Sequence, residues 1–138
     1  MVFDKPLRRE PIRYEHGDLT HTRFHDETFD AIVSMSVIEH GVDIDAYFKE
    51  MARLLKPSGI LLTSTDYWKH SVDTKNQKAF GVPIKIFNEE EARGMLSCAR
   101  SYGFKSCEEV DLNCEEQVVH WKQFDLRYTF LCFGLEKD

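Results

Sequence analysis

Residues 29–65 read FDAIVSMSVIEHGVDIDAYFKEMARLLKPSGILLTST. Their hydrophobic pattern changes from that of a strand to that of a helix and back to that of a strand. Residues 29–37 are nearly all apolar or small, which is typical of a strand covered on both faces in a parallel sheet. From Asp43 to Leu55 the apolar residues recur at steps of three and four, which predicts an amphipathic helix that Asp43 or Asp45 can cap. Pro57-Ser58-Gly59 ends that helix, and residues 60–65 form a second apolar run. Strand, helix and strand at this spacing predict a right-handed crossover with parallel strands.

The rest of the chain continues this alternation of strand-like and helix-like periods. Residues 12–16 alternate and predict a short strand. Asn88 and Glu91 have the spacing of a capping box, and Gly103 suits a left-handed cap at the end of the same helix. Further strands are predicted at 105–112 and 126–135, while residues 66–86 show no strong period. Layers of this kind predict an α/β fold.

Length and composition exclude several classes of protein. The 138 residues suit one domain, and 42% hydrophobic residues are enough for a core. With 24 acidic and 18 basic residues the formal charge is −6, which argues against nucleic-acid binding and against docking on anionic membranes. No signal peptide or apolar run of spanning length is evident, and the four cysteines have no metal-binding or disulfide pattern. We therefore expect a cytoplasmic protein with reduced thiols.

Four motifs occur in the order found in one known family. They are Gly17-Asp18, residues 24–32 (FHDETFDAI), residues 36–40 (SVIEH) and residues 53–61 (RLLKPSGIL). In this order they resemble the class I S-adenosylmethionine-dependent methyltransferases of the type 11 group. The resemblance implies a partial doubly wound, Rossmann-like sheet, mostly parallel with an antiparallel C-terminal strand. It also implies S-adenosylmethionine as cofactor and a small-molecule methyl acceptor. Ser58 stands where the family usually has glycine.

The resemblance covers about residues 12–112 and departs from the family at its front. The family opens with a glycine-rich turn after its first strand and an acidic residue after its second, and both hold the cofactor. None of the seven glycines here forms such a cluster. We therefore expect residues 1–138 to form a single domain that is truncated on its N-terminal side, with an incomplete donor site. Val2-Phe3-Asp4 is an alternative remnant of the second strand, with Asp4 as the ribose acid.

The missing strand has a physical consequence for the sheet. The family's sheet order places its first strand beside the strand that is here Ala31–Val37. Without it, an apolar strand edge is left unpaired, and such an edge must be covered or it aggregates. We favour a homodimer, or another partner, that covers this edge. The alternatives are pairing by Ile12–Glu15 and a monomer whose N-terminal segment folds over the edge.

Candidate cofactor residues follow from the resemblance. In the family an acid after the third strand accepts a hydrogen bond from the adenine amino group, which points to Asp18 and its neighbour Leu19. Ser34, Met35 and Ser36 lie where the family holds the methionine part of the cofactor. A turn-forming role for Asp18 and a packing role for Ser34, Met35 and Ser36 are the structural alternatives.

Candidate reacting and acceptor-binding residues follow the same two strands. Glu39 and His40 can act in catalysis, since histidine titrates near neutrality, or they can cap the loop into the helix. The segment after residue 65 suits the wall of an acceptor pocket. Its substrate-binding candidates are Asp66, Tyr67, Trp68 and His70. Phe80 can contribute to a lid over this pocket or cover a core edge.

Two function classes remain open. The first is a methyltransferase for a small molecule, and the second is a non-catalytic methyltransferase-like binding or interaction module. A metal centre is not expected, because the residues that imitate one share no helix or strand face. Those residues are His16, Asp18, His21, His25 and Asp26.

Overall fold

The computed structural model of the protein describes residues 11–138, and the elements below are those of this part of the chain. In chain order they are β1 (Phe29–Met35), α1 (Ile44–Leu54), β2 (Leu55–Tyr67), β3 (Lys78–Ala79), β4 (Val82–Pro83), α2 (Glu89–Ser101), β5 (Phe104–Ser106), β6 (Val119–Trp121) and β7 (Leu126–Lys137). The predicted α/β class is confirmed. The Val2-Phe3-Asp4 alternative lies outside the described residues.

The main sheet has the order β1-β2-β7-β5, and β6 pairs with β7. β1 and β2 are parallel and are joined through α1, as predicted. β7 runs antiparallel to β2, β5 and β6, so the predicted antiparallel C-terminal strand is also confirmed. The expectation of a mostly parallel sheet is wrong, because β7 occupies the centre of the described sheet and all three of its pairings are antiparallel.

Both helices begin where their capping residues predict. Asp43 caps α1, and its side chain accepts a hydrogen bond from the Ala46 amide at 3.0 Å. Asn88 and Glu91 form both bonds of the capping box at the start of α2. Gly103 adopts a φ of +85° directly after α2, which is the left-handed conformation expected of a C-cap glycine.

The two helices share one side of the sheet, and the main core lies between them and that face. α1 contributes Tyr47, Phe48 and Met51, while β7 contributes Phe133 and Leu135. We call this side the covered face. Burial of these side chains is the main source of stability, since each contributes about 1.5–3 kcal/mol.

The opposite side of the same strands, which we call the open face, carries apolar side chains with no described layer over them. Val33 is 62% exposed and Met35 is 54% exposed, and Leu62 and Phe130 are also exposed. The prediction that β1 is covered on both faces is therefore wrong for the described residues. The doubly wound arrangement does not appear there either, because both described helices lie on one face.

Two predicted strands differ in the structure. Residues 12–16 form no strand, and Ile12 and Tyr14 are exposed. An alternating pattern stabilises a strand only where a sheet edge accepts its hydrogen bonds, and these residues meet none. The strand predicted at 105–112 ends already at Ser106.

The connection between β2 and α2 has structure of its own. It carries the β3–β4 hairpin, and its flanks pack on the end of β7. Ile86, Leu126 and Tyr128 are the buried centre of this second group, with Trp68 and Trp121 packed around them. We call it the small cluster. Neither helix in residues 11–138 is long and apolar enough to cross a membrane.

Candidate active site

The ends of β1 and β2 meet at one edge of the sheet, and three candidate residues lie together there. Glu39 is 3% exposed and Asp66 is 8% exposed, so both carboxyl groups are almost fully buried. Together with His40 they line a narrow crevice with a free volume of about 10 Å³, to which Lys85 and Trp121 also contribute. The structure therefore brings together residues that the sequence analysis assigned to separate roles.

Glu39 and Asp66 have different surroundings. The Thr65 hydroxyl donates to Glu39 Oε2 at 3.3 Å. Burial and the nearby negative charge of Glu39 raise the pKa of Asp66 to about 7, and a hydrogen bond from Tyr128 opposes that rise. Burial, with Asp66 close by, likewise raises the pKa of Tyr128 to about 12. A carboxyl group that titrates near neutrality in a crevice can accept and release a proton during a reaction.

The β3–β4 hairpin lies over one side of this crevice. The Phe80 ring packs edge-on against His40, with centroids 5.7 Å apart, yet Phe80 is 88% exposed. Phe80 and Gly81 both have positive φ, at +52° and +83°. Phe80 thus contacts a candidate catalytic residue, and its function as a lid stays a prediction.

The other predicted substrate-binding residues lie elsewhere. Tyr67 is in the main core, where its hydroxyl donates to the Leu112 carbonyl at 2.8 Å. Trp68 packs in the small cluster. His70 is exposed and lines a separate shallow groove with Lys69 and Arg93.

The candidate cofactor residues are in two places. Asp18 lies in an exposed loop, where its Oδ1 accepts from the Thr20 amide at 2.9 Å and from the Thr20 hydroxyl at 2.7 Å. These bonds lower the pKa of Asp18. The loop surrounds a concavity of about 310 Å³, to which Leu19 also contributes. The turn-forming role of Asp18 is thus present, and Oδ2 makes no hydrogen bond within residues 11–138.

Ser34, Met35 and Ser36 have different environments at the end of β1. Ser34 is buried near the Tyr47 hydroxyl on the covered face, and Met35 projects from the open face. Ser36 has a φ of +52°, and its amide donates to both the carbonyl and the hydroxyl oxygen of Ser64 at 3.1 Å. The described residues therefore fit the adenine end of S-adenosylmethionine at Asp18. They show no free backbone donor at Ser36 for its methionine end.

An ion-pair network positions the Asp18 loop against α1. Glu50 Oε1 accepts from the amide and the hydroxyl of Thr22 at 2.7 and 2.8 Å. Arg53 binds both oxygens of Glu50 and reaches Asp26 at 2.7 Å. The hydrogen bond from Arg53 is the main reason that the pKa of Glu50 falls to about 2.

The sequence analysis missed Lys85, Trp121 and Tyr128 as residues of this site. The signal was a pair of alternating segments, residues 119–121 and 126–130, on either side of a short polar turn. That pattern predicts a β-hairpin. The hairpin formed by β6 and β7 is what places Trp121 and Tyr128 beside Asp66.

An α/β domain with a crossover unit and a polar crevice at the ends of adjacent strands is the arrangement of class I methyltransferases. Residues 2–63 match the family model described as "Methyltransferase domain". This match confirms the resemblance to the class I S-adenosylmethionine-dependent methyltransferases of the type 11 group that the motifs indicated.

Curated relatives agree with this assignment. A sterol 24-C-methyltransferase of Aspergillus fumigatus is 23% identical over 116 residues, which are 80% of this chain and 31% of that protein. A ubiquinone biosynthesis O-methyltransferase of Bradyrhizobium diazoefficiens is 44% identical over 58 residues, which are 42% of this chain and 20% of that protein. The chain thus spans a third or less of the length of these relatives.

Solved structures agree on the fold. An S-adenosylmethionine-dependent methyltransferase from Mesorhizobium loti has a TM-score of 0.65 at 18% identity, over 94% of this chain and 71% of that one. A geranyl diphosphate C-methyltransferase from Streptomyces coelicolor has a TM-score of 0.64 at 16% identity, over 90% of this chain and 52% of that one.

Proposed function

We propose that the chain functions in methyl transfer from S-adenosylmethionine to a small-molecule acceptor. The observation that carries the proposal is the crevice formed by Glu39, His40 and Asp66. It lies at the carboxyl ends of β1 and β2, where open α/β sheets gather ligands. The homology to small-molecule methyltransferases supports it. When bound, the cofactor supplies an activated methyl group, so the protein mainly has to align the acceptor and exclude water.

The donor site is divided between described and undescribed parts. Asp18 Oδ2 and the concavity around it suit the adenine, whose amino group needs an acceptor. The free edge of β1 is where the family resemblance places the first strand and its glycine turn. We infer that the rest of the donor site forms at this edge, from a second chain or from a segment that is not present here.

The alternative is a non-catalytic module in which a second copy of the chain occupies the same edge. Two β1 strands that pair antiparallel around Ile32 place Asp30 opposite Ser34, so no like charges face each other. The open-face residues Val33 and Met35 then form one apolar surface across both chains. This homodimer and a completed donor site exclude each other, because each needs the edge of β1.

Calorimetric titration with S-adenosylmethionine and S-adenosylhomocysteine tests the donor function. We expect micromolar binding that weakens about tenfold in Asp18→Asn, a loss equivalent to roughly one hydrogen bond. The amide keeps an acceptor for Thr20 but places an NH₂ group where Oδ2 faces the adenine. Asp30→Asn is the matched control and should bind normally. The absence of heat at millimolar cofactor would overturn the proposal.

Light scattering coupled to size exclusion tests the alternative. A dimer that Val33→Lys converts to a monomer, while Ser71→Lys does not, would favour the binding module. A monomer in which Val33→Lys changes nothing would count against the homodimer.

A further inference from the structure

The two buried carboxyl groups of the crevice lack a cationic partner among the described residues. None of the ion pairs of residues 11–138 includes Glu39 or Asp66. Lys85 lies at the rim, but its ammonium pairs with Glu91 and lies 5.2 Å from the centre of the Phe87 ring. Buried carboxylates are normally paired, so this pair is unusual.

The shape of the crevice limits what can enter it. Its free volume of about 10 Å³ has room for about one water-sized group, far below the roughly 300–1,000 Å³ of pockets for whole drug-sized ligands. It suits one functional group, while the remainder of the molecule stays outside. Trp121 contributes an aromatic wall, and aromatic faces attract cations.

We propose that this crevice binds the ammonium group of the methyl acceptor. The substrates of the chain are then amines. The proposal rests on the methyl-transfer function proposed above and specifies its acceptor. An ammonium group supplies the positive charge that Glu39 and Asp66 lack. Its N–H groups can donate to the oxygens of both carboxylates, and charge-assisted bonds of this kind are the strong ones.

The chemistry of methyl transfer favours an amine over a hydroxyl acceptor at this site. An ammonium group gives one proton to the Asp66 carboxylate and becomes a neutral amine with a free electron pair. That pair forms the new N–C bond as the C–S bond of the donor breaks, which leaves a neutral thioether and a methylated ammonium product. A hydroxyl that loses its proton would instead become an anion beside Glu39, and like charges in a buried site repel strongly.

The test is calorimetric binding of benzylamine to the whole chain, with benzyl alcohol as the neutral analogue of the same shape. We expect benzylamine to bind at least about tenfold more tightly than benzyl alcohol. Glu39→Gln and Asp66→Asn should each remove that preference. Glu90→Gln is the control, because it makes the same charge change at an exposed position of α2. Equal binding of both ligands, or a preference that survives both crevice variants, would overturn the proposal.

Thermal melting establishes that each variant is folded, and Asp66→Asn serves alone if Glu39→Gln does not fold. The titration contains no S-adenosylmethionine, so its result is independent of the donor-site experiment. A failure of amine selectivity with normal cofactor binding rejects only the amine, whereas the reverse pattern rejects only the donor function.

Discussion

The covered and open faces of one sheet differ in what surrounds the same strands. On the covered face, alternate residues of β2 and β7 are buried under α1 and α2. On the open face, Val33 and Phe130 are more than half exposed, and only the end near Asp66 lies under the small cluster. Stability should therefore come mainly from the covered face. Among residues 11–138, no strand pairs with the outer edge of β1 and no layer covers the open face.

The pKa values of two buried carboxyl groups, one on each side of the sheet, are also shifted in opposite directions. Glu50, beside the covered face, has Arg53 as partner, and its pKa falls to about 2. Asp66 follows Leu62 and Ser64 at two-residue steps along β2, on the side of the open face. It has no such partner, and its pKa rises to about 7. Ionised Glu50 thus stabilises the fold, whereas ionised Asp66 destabilises it. Strongly perturbed groups such as Asp66 are common at functional sites.

The largest difference should come from truncating an aromatic ring on each face. Phe48→Ala should lower the free energy of unfolding by about 3–5 kcal/mol, because the ring is fully buried between α1 and the sheet. Phe130→Ala should lower it by less than about 1 kcal/mol, since that ring is already half solvated. Urea denaturation of both variants measures the two losses of unfolding free energy. Equal losses would mean that the open face is covered in solution.

Removing the charge of Glu50 should cost about 2–3 kcal/mol at pH 7, because Arg53 loses its charged, doubly hydrogen-bonded partner. The folded pKa lies below the unfolded value, so the stabilisation is present above about pH 4.5 and disappears as pH falls towards 2. Denaturation of Glu50→Gln and wild type across this range should therefore converge in acid. A constant difference at all pH values would contradict the ion-pair account.

Asp66→Asn should have the opposite effect on stability to Glu50→Gln. It should raise the free energy of unfolding at pH 8 by about 2 kcal/mol. The folded pKa lies above the unfolded value, so wild-type stability should fall as pH rises from about 4 to 7 and then level off. Glu39, His40, Lys85 and Tyr128 face this carboxyl group and remain in the variant. The free energy of unfolding of Asp66→Asn should no longer decrease between pH 4 and 7. An unchanged decrease would mean that another group causes the pH dependence.

The smallest effect concerns the backbone near the start of β2. Ser58 adopts a φ of +60°, a left-handed conformation that costs a non-glycine residue about 1 kcal/mol. Ser58→Gly should therefore stabilise the protein by roughly that amount. Ser106→Gly, in the extended strand β5, should destabilise it, and thermal melts compare the two. Destabilisation by both changes would mean that the Ser58 side chain matters more than its backbone.

Local patterns predicted those elements whose forces act between residues near in sequence. The caps at Asp43 and Asn88, the helix stripes, and the β1–α1–β2 crossover all appear as expected. The short strand at 12–16 was wrong, because its alternation had no edge to pair with. The mostly parallel sheet was also wrong, because the position and direction of β7 depend on distant pairings.

The candidate site shows the same division. Glu39, His40 and Asp66 were found from their positions after two strands, since parallel strands end at one edge of a sheet. Lys85, Trp121 and Tyr128 come from residues 85–128, and only the folding of the β3–β4 and β6–β7 hairpins onto that edge brings them to it.

The amino-acid sequence therefore established the α/β class, the resemblance to methyltransferases and the strand ends where ligands gather, because these depend on short-range periodicity and on motifs. The tertiary structure alone established that one face of the sheet is open and that Glu39 and Asp66 share a crevice without a cation. Burial and charge pairing are properties of side chains far apart in the chain. Their energies exist only once the strands have been brought together.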